Sequence, residues 1–313
     1  MITLIQLEYI VAVDTYRHFA TAAEKCFVTQ PTLSMQIKKL EDFLDIIIFD
    51  RSKQPVVPTL LGDKVIEQAR LVLQESDKIS LLIQEEKNEI KGEIRIGIIP
   101  TISPYLLPLF TGIFKTKYPN VIIKVEEIVT EHIEDRLKKD LLDVGILVTP
   151  LHNKHIIENV LYYEEMLIYT NQTHPFINKP IIKIKDIATP EIWMLNDGHC
   201  FRHQIINLCD IKEFAKSSLP FEFDGGNLDT LMRIIDKEGG YTIIPELSVM
   251  DLDFERKKQT RKFEDITPLR EISLVFTRKF AKTKLIDRLA NTIKEVIPDF
   301  MLDKNRGTIV EWK

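Results

Sequence analysis

Cysteine is scarce in this chain. Three in 313 residues, an odd number, is too few for the disulfide framework that staples small secreted domains. Positive charge is not in excess either. Lys and Arg number 42 against 47 Asp and Glu, a formal net charge of −5, which argues against bulk electrostatic attraction to nucleic acid. Long apolar runs are missing, since Ile46-Ile47-Ile48-Phe49 falls far short of the roughly 18 residues a membrane span needs. The first residues, Met1 to Glu8, lack a positive n-region and are broken by Gln6 and Glu8, so no signal peptide is expected. Repeats and low-complexity segments are absent as well. Together these absences argue against a membrane protein, a disulfide-rich secreted domain and a secreted small-molecule carrier. The expected setting is cytoplasmic, where a disulfide is usually transient, catalytic or sensing. The length, with 44% apolar residues, provides for two or three domains with real cores.

Residues 1–58 read as a small helical domain. Leu4, Leu7, Ile10 and Val11 form an apolar stripe at helical spacing, and Phe19 to Cys26 carries a second in which Ala20, Ala22 and Ala23 permit close packing. After a tight turn, Thr29 is placed to cap a third helix, with Gln30 and Pro31 in its first turn. Leu33, Ile37, Leu40 and Leu44 make the buried face of that helix. Pro31, Ser34, Met35, Lys38 and Asp42 lie opposite, flanked by Gln30, Thr32 and Gln36. Helix, turn and helix with a polar N-terminal half is a helix-turn-helix pattern, although periodicity alone fits a plain three-helix bundle equally well. Residues 1–60 carry six basic and seven acidic groups, so DNA binding here needs locally placed cations and more than one copy of the domain.

The residue string is more specific than the periodicity. Phe19-Ala20-Thr21-Ala22-Ala23-Glu24, Val28-Thr29-Gln30-Pro31-Thr32-Leu33-Ser34, Ile37-Lys38-Lys39-Leu40-Glu41 and Phe49-Asp50-Arg51 strongly resemble the DNA-binding domain of LysR-type transcriptional regulators. The resemblance implies a winged helix-turn-helix that puts the helix from Gln30 into the major groove of double-stranded DNA. Thr29, Gln30, Pro31, Thr32, Ser34 and Gln36 would then face bases or phosphates, while Lys38 and Arg51 hold phosphates.

From Thr59 a helical pattern runs through Leu60, Leu61, Val65, Ala69, Val72, Leu73 and on to Leu82, about 28 residues, which is long for a globular helix. Leu61, Val65, Val72 and Ile79 suggest a coiled-coil seam, though a helix packed along the next domain would show a similar stripe. The resemblance implies a linker and dimerisation helix over 59–90. After Lys91-Gly92 the period changes. Short buried strands are expected at Ile94–Ile99, Val121–Val125, Val144–Val148, Met166–Tyr169, Ile192–Leu195, Phe221–Phe223, Tyr241–Ile244 and Ile272–Phe276, with helices between most of them. That alternation argues for an α/β domain with mostly parallel sheets. By resemblance, residues 91–313 form the two-lobed regulatory domain of LysR-type regulators, similar to periplasmic binding proteins. Lobe I would span about 92–164 and 268–301, and lobe II about 165–267. The last dozen residues are expected to trail as a tail.

Two of the three cysteines, Cys200 and Cys209, lie nine residues apart in Asp197-Gly198-His199-Cys200-Phe201-Arg202-His203-Gln204…Cys209. If the segment is helical, a 1.5 Å rise per residue separates their Cα atoms by roughly 13 Å, whereas a disulfide needs about 7 Å or less. The two thiols can join only if the helix melts, as in a redox switch. Cys200, after a glycine turn, would meet the positive end of the helix dipole, which favours the reactive thiolate. Cys26 faces a helix-packing surface and reads as a small buried hydrophobe.

The Gly-His-Cys-x-Arg…Cys element resembles the sensing segment of the peroxide-responsive members of the LysR-type family, and Ile99-Pro100-Thr101 with Pro104-Tyr105-Leu106-Leu107-Pro108 agrees. The resemblance implies a regulator of oxidative-stress genes that reacts with hydrogen peroxide, with Cys200 as the peroxidatic residue and Cys209 as the resolving one. It also implies that Thr101, Thr130, His199, Arg202 and Arg270 line the peroxide pocket. Thr101 could instead be an N-cap after a strand, and Thr130 a cap of the following helix. The expected partners are DNA, RNA polymerase, a cellular thiol reductant and further copies of the chain, as a homodimer assembling to a homotetramer. No cofactor or metal is expected, and no enzymatic activity. One departure stands out: His203 occupies a position where the resemblance leads one to expect an aspartate. A LysR-type regulator that binds a small metabolite between its lobes is the competing reading. A thiol peroxidase would use the cysteine pair but would need neither the helix-turn-helix nor the long helix.

Overall fold

The computed structural model describes residues 1–86, 90–187, 191–209, 219–277 and 283–312. They fall into two units, one up to the end of the long helix and one from residue 90 onward.

In the first unit, α1 (Leu4–Tyr16) opens on a reciprocal capping box between Thr3 and Gln6. His18 caps α2 (Phe19–Lys25), and Thr29 caps α3 (Gln30–Leu44) by accepting from the Thr32 amide. Leu7, Ile10 and Val13 of α1 meet Ala22 and Ala23 of α2 and Leu33, Ile37 and Leu40 of α3 in one core. The alanines let the helices approach closely. Burying each of the larger aliphatic side chains contributes about 1.5–3 kcal/mol. A two-stranded wing follows, β1 (Phe49–Asp50) antiparallel to β2 (Val57–Pro58). The long helix α4 (Leu60–Glu86) starts where Thr59 accepts from the Gly62 amide at 2.9 Å. It packs on α1 through Ile66, Ala69 and a buried polar contact, Arg70 to Asp14 at 2.8 Å and to Thr15 at 3.1 Å. Leu61, Val72 and Ile79 of the expected seam are exposed, whereas Val65 packs against the core.

In the second unit the elements are β3 (Gly92–Ile98), α5 (Ser103–Lys117), β4 (Val121–Glu127), α6 (Thr130–Lys138), β5 (Val144–Thr149), β6 (Ile156–Thr170), β7 (Ile181–Ile182), α7 (Cys200–Cys209), α8 (Leu228–Glu238), β8 (Tyr241–Pro245), α9 (Glu246–Met250), α10 (Phe254–Lys257), β9 (Thr260–Phe263), β10 (Pro268–Thr277), α11 (Thr283–Val296) and β11 (Thr308–Ile309). The strands run in the order β4-β3-β5-β10-β6-β9-β7, with β8 on β6 and β11 on β10. Lobe I gathers around β3, β4 and β5. The first part of β6 pairs with β10, and its second part pairs with β8 and β9 of lobe II, so one 15-residue strand is shared by both lobes.

The structure differs from the sequence expectation in four places. The sheets are not mostly parallel: β3 is parallel to β4 and β5, but β10 runs antiparallel to β5 and β6, and β6 antiparallel to β8 and β9. The long crossover strands return the chain between lobes and so impose that direction. Phe221–Phe223 is not a strand; Phe221 instead packs its ring 5.1 Å from that of Trp193. Ile192–Leu195 keeps a single bridge, Ile192 to Tyr241. The last dozen residues do not trail. Val310 and Trp312 are buried, and β11 lies parallel to β10 in the register Pro268 to Thr308.

Candidate functional site

The first unit presents α3 with Gln30, Pro31, Thr32 and Lys38 exposed and Ser34 and Gln36 half-buried. Thr29 Oγ1 is engaged with Thr32 Oγ1 at 2.8 Å, so its side chain organises the helix start. Arg51 does not hang free. Its guanidinium donates to Glu41 Oε2 at 3.0 Å and Ser34 Oγ at 3.3 Å, and lies over the Phe19 ring at 5.1 Å. Glu41 also accepts the backbone amides of Ile48 (2.8 Å) and Phe49 (3.3 Å). One carboxylate therefore fixes the start of the wing to α3. Sequence reading missed it, because Glu41 sits among helix charges that look solvated.

In the second unit the segment that carries Cys200 begins with a turn that needs glycine: Gly198 has φ +94, a left-handed conformation that a side chain would strain. His199 and Cys200 follow, and Cys200 is the first residue of α7. Both are buried, as is Cys209 at the last residue, and all the cysteines are free thiols. The helix between Cys200 and Cys209 is unbroken, so its rise keeps their Cα atoms roughly 13 Å apart.

Arg270 is the centre of the site. It is fully buried in β10, directly across from Glu164 in β6, with Nε to Oε1 at 2.6 Å. Its other nitrogens donate to Thr101 Oγ1 and to the Thr101 carbonyl, both at 3.0 Å. Its face lies 5.0 Å from the Phe201 ring. Thr101 thus has an acceptor lone pair occupied and its own hydroxyl proton free to donate. Neither threonine caps a helix: α5 is entered through Ile102 and α6 through Val129, without side-chain caps. The Thr130 hydroxyl is buried without a hydrogen bond of ordinary geometry, and it reaches the Cys200 sulfur only loosely.

The Cys200 pKa is raised, not lowered as the helix-start position suggests. Burial is the dominant cause, and the positive charge of Arg270, the Thr130 hydroxyl and the backbone amides at the helix start pull only partly against it. Burial also pushes the Cys209 thiol up to about 12. The His199 imidazole is held below its usual pKa by burial, against the opposing charge of Glu127, and is neutral near pH 7. It fits because Gly226 has no side chain: a Cβ there would fall 2.3 Å from His199 Nε2.

Arg202 is bonded to the residues just before α7. It pairs with Asp197 at 2.8 Å and donates to the Leu195 carbonyl at 3.1 Å, which ties down the turn before α7. His203 is exposed on the outer face of the helix. Arg270, Thr101, Thr130 and Cys200 are therefore brought together beside Phe201, with His199 adjoining. Glu164, Phe201 and Gly226 were not singled out from the sequence. The signal for Glu164 is a charge pair inside the apolar run Leu161-Tyr162-Tyr163-Glu164-Glu165-Met166-Leu167.

Among the described residues no cluster suited to a metal ion occurs, and no helix is long and apolar enough to cross a membrane.

Comparison with known proteins gives a consistent picture. Residues 4–63 match the profile of the bacterial regulatory helix-turn-helix protein, lysR family, and residues 87–298 match the LysR substrate binding domain. A curated relative from Haemophilus influenzae, named hydrogen peroxide-inducible genes activator, is 31% identical over 94% of this chain and 97% of its own length. The DNA-binding transcriptional dual regulator OxyR of Escherichia coli K12 is 32% identical over 92% of this chain and 93% of that protein. Among solved structures, a full-length OxyR variant from Pseudomonas aeruginosa superposes with a TM-score of 0.78 at 29% identity, covering 95% of this chain and 99% of its own. A peroxide-bound OxyR variant from Corynebacterium glutamicum gives 0.59 at 27% identity over 94% and 92%.

Proposed function

This chain belongs to the LysR family of bacterial regulatory proteins, and from that premise we propose that it is a DNA-binding transcriptional regulator of oxidative-stress genes that senses hydrogen peroxide through Cys200. The observation that carries the reading is the convergence of a buried thiol, a buried arginine and two threonine hydroxyls at the start of a helix whose far end is a second buried thiol.

Peroxide is small and uncharged, so an enclosed polar site of this kind suits it better than an anion or a bulky metabolite. In our reading Thr101 and Thr130 donate hydrogen bonds to the oxidant, and Arg270 stabilises negative charge as it develops. The Cys200 thiolate attacks one peroxide oxygen. The S–O bond forms, the O–O bond breaks, and the other oxygen leaves as hydroxide and is protonated to water. Neutral His199, the residue next to Cys200 in the chain, takes the proton from the thiol in this reading. Cys209 then attacks the sulfenic sulfur, the S–O bond breaks with loss of a second water, and a Cys200–Cys209 disulfide remains. Two thiols and one peroxide thus yield one disulfide and two waters. Because an intact α7 holds the thiols too far apart, the second step requires the helix to unwind. We read that rearrangement as the signal passed to the DNA-binding unit.

The partners in this reading are operator DNA, RNA polymerase, a cellular thiol reductant that resets the switch, and further copies of the chain in a dimer or tetramer. The exposed Leu61, Val72 and Ile79 of α4 support the self-association. The chain acts once per reduction, not as a turnover catalyst, and it works in the cytoplasm.

The test is mass spectrometry of the reduced protein after one equivalent of hydrogen peroxide, with free thiols alkylated before digestion. A Cys200–Cys209 linked peptide at low micromolar peroxide is the expected result. Both cysteines remaining fully alkylated would end the peroxide reading in favour of a metabolite bound between the lobes.

A further inference from the structure

The C-terminal segment is bonded to the sensing helix. Gln204 and Asn207, one turn apart on the same side of α7, donate their side-chain amides to successive backbone carbonyls: Gln204 Nε2 to Val310 O at 2.7 Å, and Asn207 Nδ2 to Glu311 O at 2.9 Å. Gln204 is fully buried, and Val310 and Trp312 are nearly so.

The same segment is held at its other end by a two-residue pairing, short enough to depend on the contacts with α7. Thr308 N donates to the Thr267 carbonyl and Val310 N to the Leu269 carbonyl, both at 2.8 Å, which seats β11 beside the start of β10 just before Arg270. Arg306 pairs with Glu246 at 2.8 Å and stacks on Phe300 at 4.9 Å. Its guanidinium also lies 3.7 Å from Glu165, a buried carboxylate of the strand that the two lobes share.

We propose that residues 308–312 are a strap released by oxidation: they hold α7 helical while its thiols are reduced, and they lose their hold when Cys200 and Cys209 join. The inference rests on the redox reading above. Gln204 and Asn207 both lie between the two cysteines. Bringing the sulfurs within bonding reach dismantles the turns that carry those amides, and the carbonyls of Val310 and Glu311 lose their donors together. Gln204 and Asn207 are therefore positioning residues. They oppose the second chemical step, the meeting of Cys209 with the sulfenic sulfur, without touching the reaction of Cys200 with peroxide.

The experiment is hydrogen exchange of the full-length chain, reduced and peroxide-treated, read at the Thr308 and Val310 amides, with the Cys200–Cys209 linkage followed by mass spectrometry in the same samples. The strap predicts protection in the reduced chain and at least tenfold faster exchange once the linkage has formed. Linkage with unchanged protection overturns the strap alone, whereas failure of the linkage to form overturns the redox reading and the strap with it. A Q204M/N207A variant provides a kinetic check. Its sulfenic acid should form at the wild-type rate and convert to disulfide roughly tenfold faster, as expected when one or two neutral hydrogen bonds are removed. Conversion at the wild-type rate would also overturn the proposal.

Discussion

Arg270 and Glu164 face each other across β10 and β6, both fully buried, with Nε and Oε1 2.6 Å apart. Burial alone would drive the Glu164 proton on, and it does raise that pKa; the arginine charge opposes the shift, as do the hydrogen bonds from Arg270 and the Leu247 amide. The pair aims the remaining guanidinium nitrogens at Thr101 and sets a positive charge beside Cys200.

Breaking this pair from either side should have different consequences. E164Q leaves a buried charge uncompensated and should cost about 3–5 kcal/mol in chemical denaturation. R270K keeps a charge but cannot serve Glu164 and both Thr101 atoms at once. It should slow sulfenic acid formation by roughly 10- to 100-fold, the loss expected for a charge-assisted hydrogen bond. An R270K chain that reacts at the wild-type rate would remove Arg270 from the chemistry.

The raised pKa of Cys200 sets a pH dependence. Below a thiol's pKa the thiolate fraction grows about tenfold per pH unit. Stopped-flow oxidation should therefore keep accelerating beyond pH 8, where a low-pKa cysteine would already have levelled off.

Cys209 gives a second pH effect, on stability. Its folded pKa, about 12, lies above the ordinary thiol value, so the folded state holds the proton more tightly than the unfolded chain. The stabilisation is complete below about pH 8.5, the unfolded thiol value. It then declines by up to about 1.4 kcal/mol per pH unit until the folded thiol itself ionises. The reduced chain should lose denaturation free energy between pH 9 and 10, and C209S should lose measurably less over the same interval.

Gly226 is where a single methyl group should reach the chemistry. G226A places a carbon 2.3 Å from His199 Nε2, and the imidazole has to move. The expected cost is about 1–3 kcal/mol of stability, with peroxide reactivity down by roughly 10- to 100-fold through misplacement of the site. Unchanged kinetics in a folded G226A chain would show that His199 takes no part.

On the DNA-binding unit, Lys38 is exposed whereas Arg51 is tied to Glu41. K38A should reduce the slope of log affinity against log salt by about 1, as loss of one phosphate contact requires. E41Q should weaken operator binding by loosening the wing, with α3 left helical by circular dichroism.

Much of this was legible in the sequence because the signals were local. Thr29 and Thr59 mark helix starts by their own chemistry. Leu33, Ile37 and Leu40 declare a buried face by spacing. The family resemblance runs through nearly the whole chain, with its most specific strings in residues 19–51 and around Cys200. What stayed hidden depends on partners distant in the chain. Nothing near Arg270 says that it meets Glu164, 106 residues away, or that its remaining nitrogens reach Thr101. The depressing effect of a helix start on a thiol pKa is a local rule, and burial, a property of the whole fold, overrides it at Cys200. The C-terminal residues read as a tail because Gly307-Thr308-Ile309-Val310 is too short to announce a strand; only β10 makes it one.

The unbroken turns between Cys200 and Cys209 also act as a timer. Once Cys200 is a sulfenic acid, its fate is a race between helix opening, which leads to a reversible disulfide, and a second peroxide molecule, which leads to a sulfinic acid that thiol reductants do not restore. The opening rate does not depend on oxidant, whereas the competing attack grows in proportion to it. In the proposed mechanism the helix therefore sets a dose scale: at low oxidant nearly every hit ends in the recoverable disulfide, and as oxidant rises a growing share of Cys200 passes beyond thiol reduction.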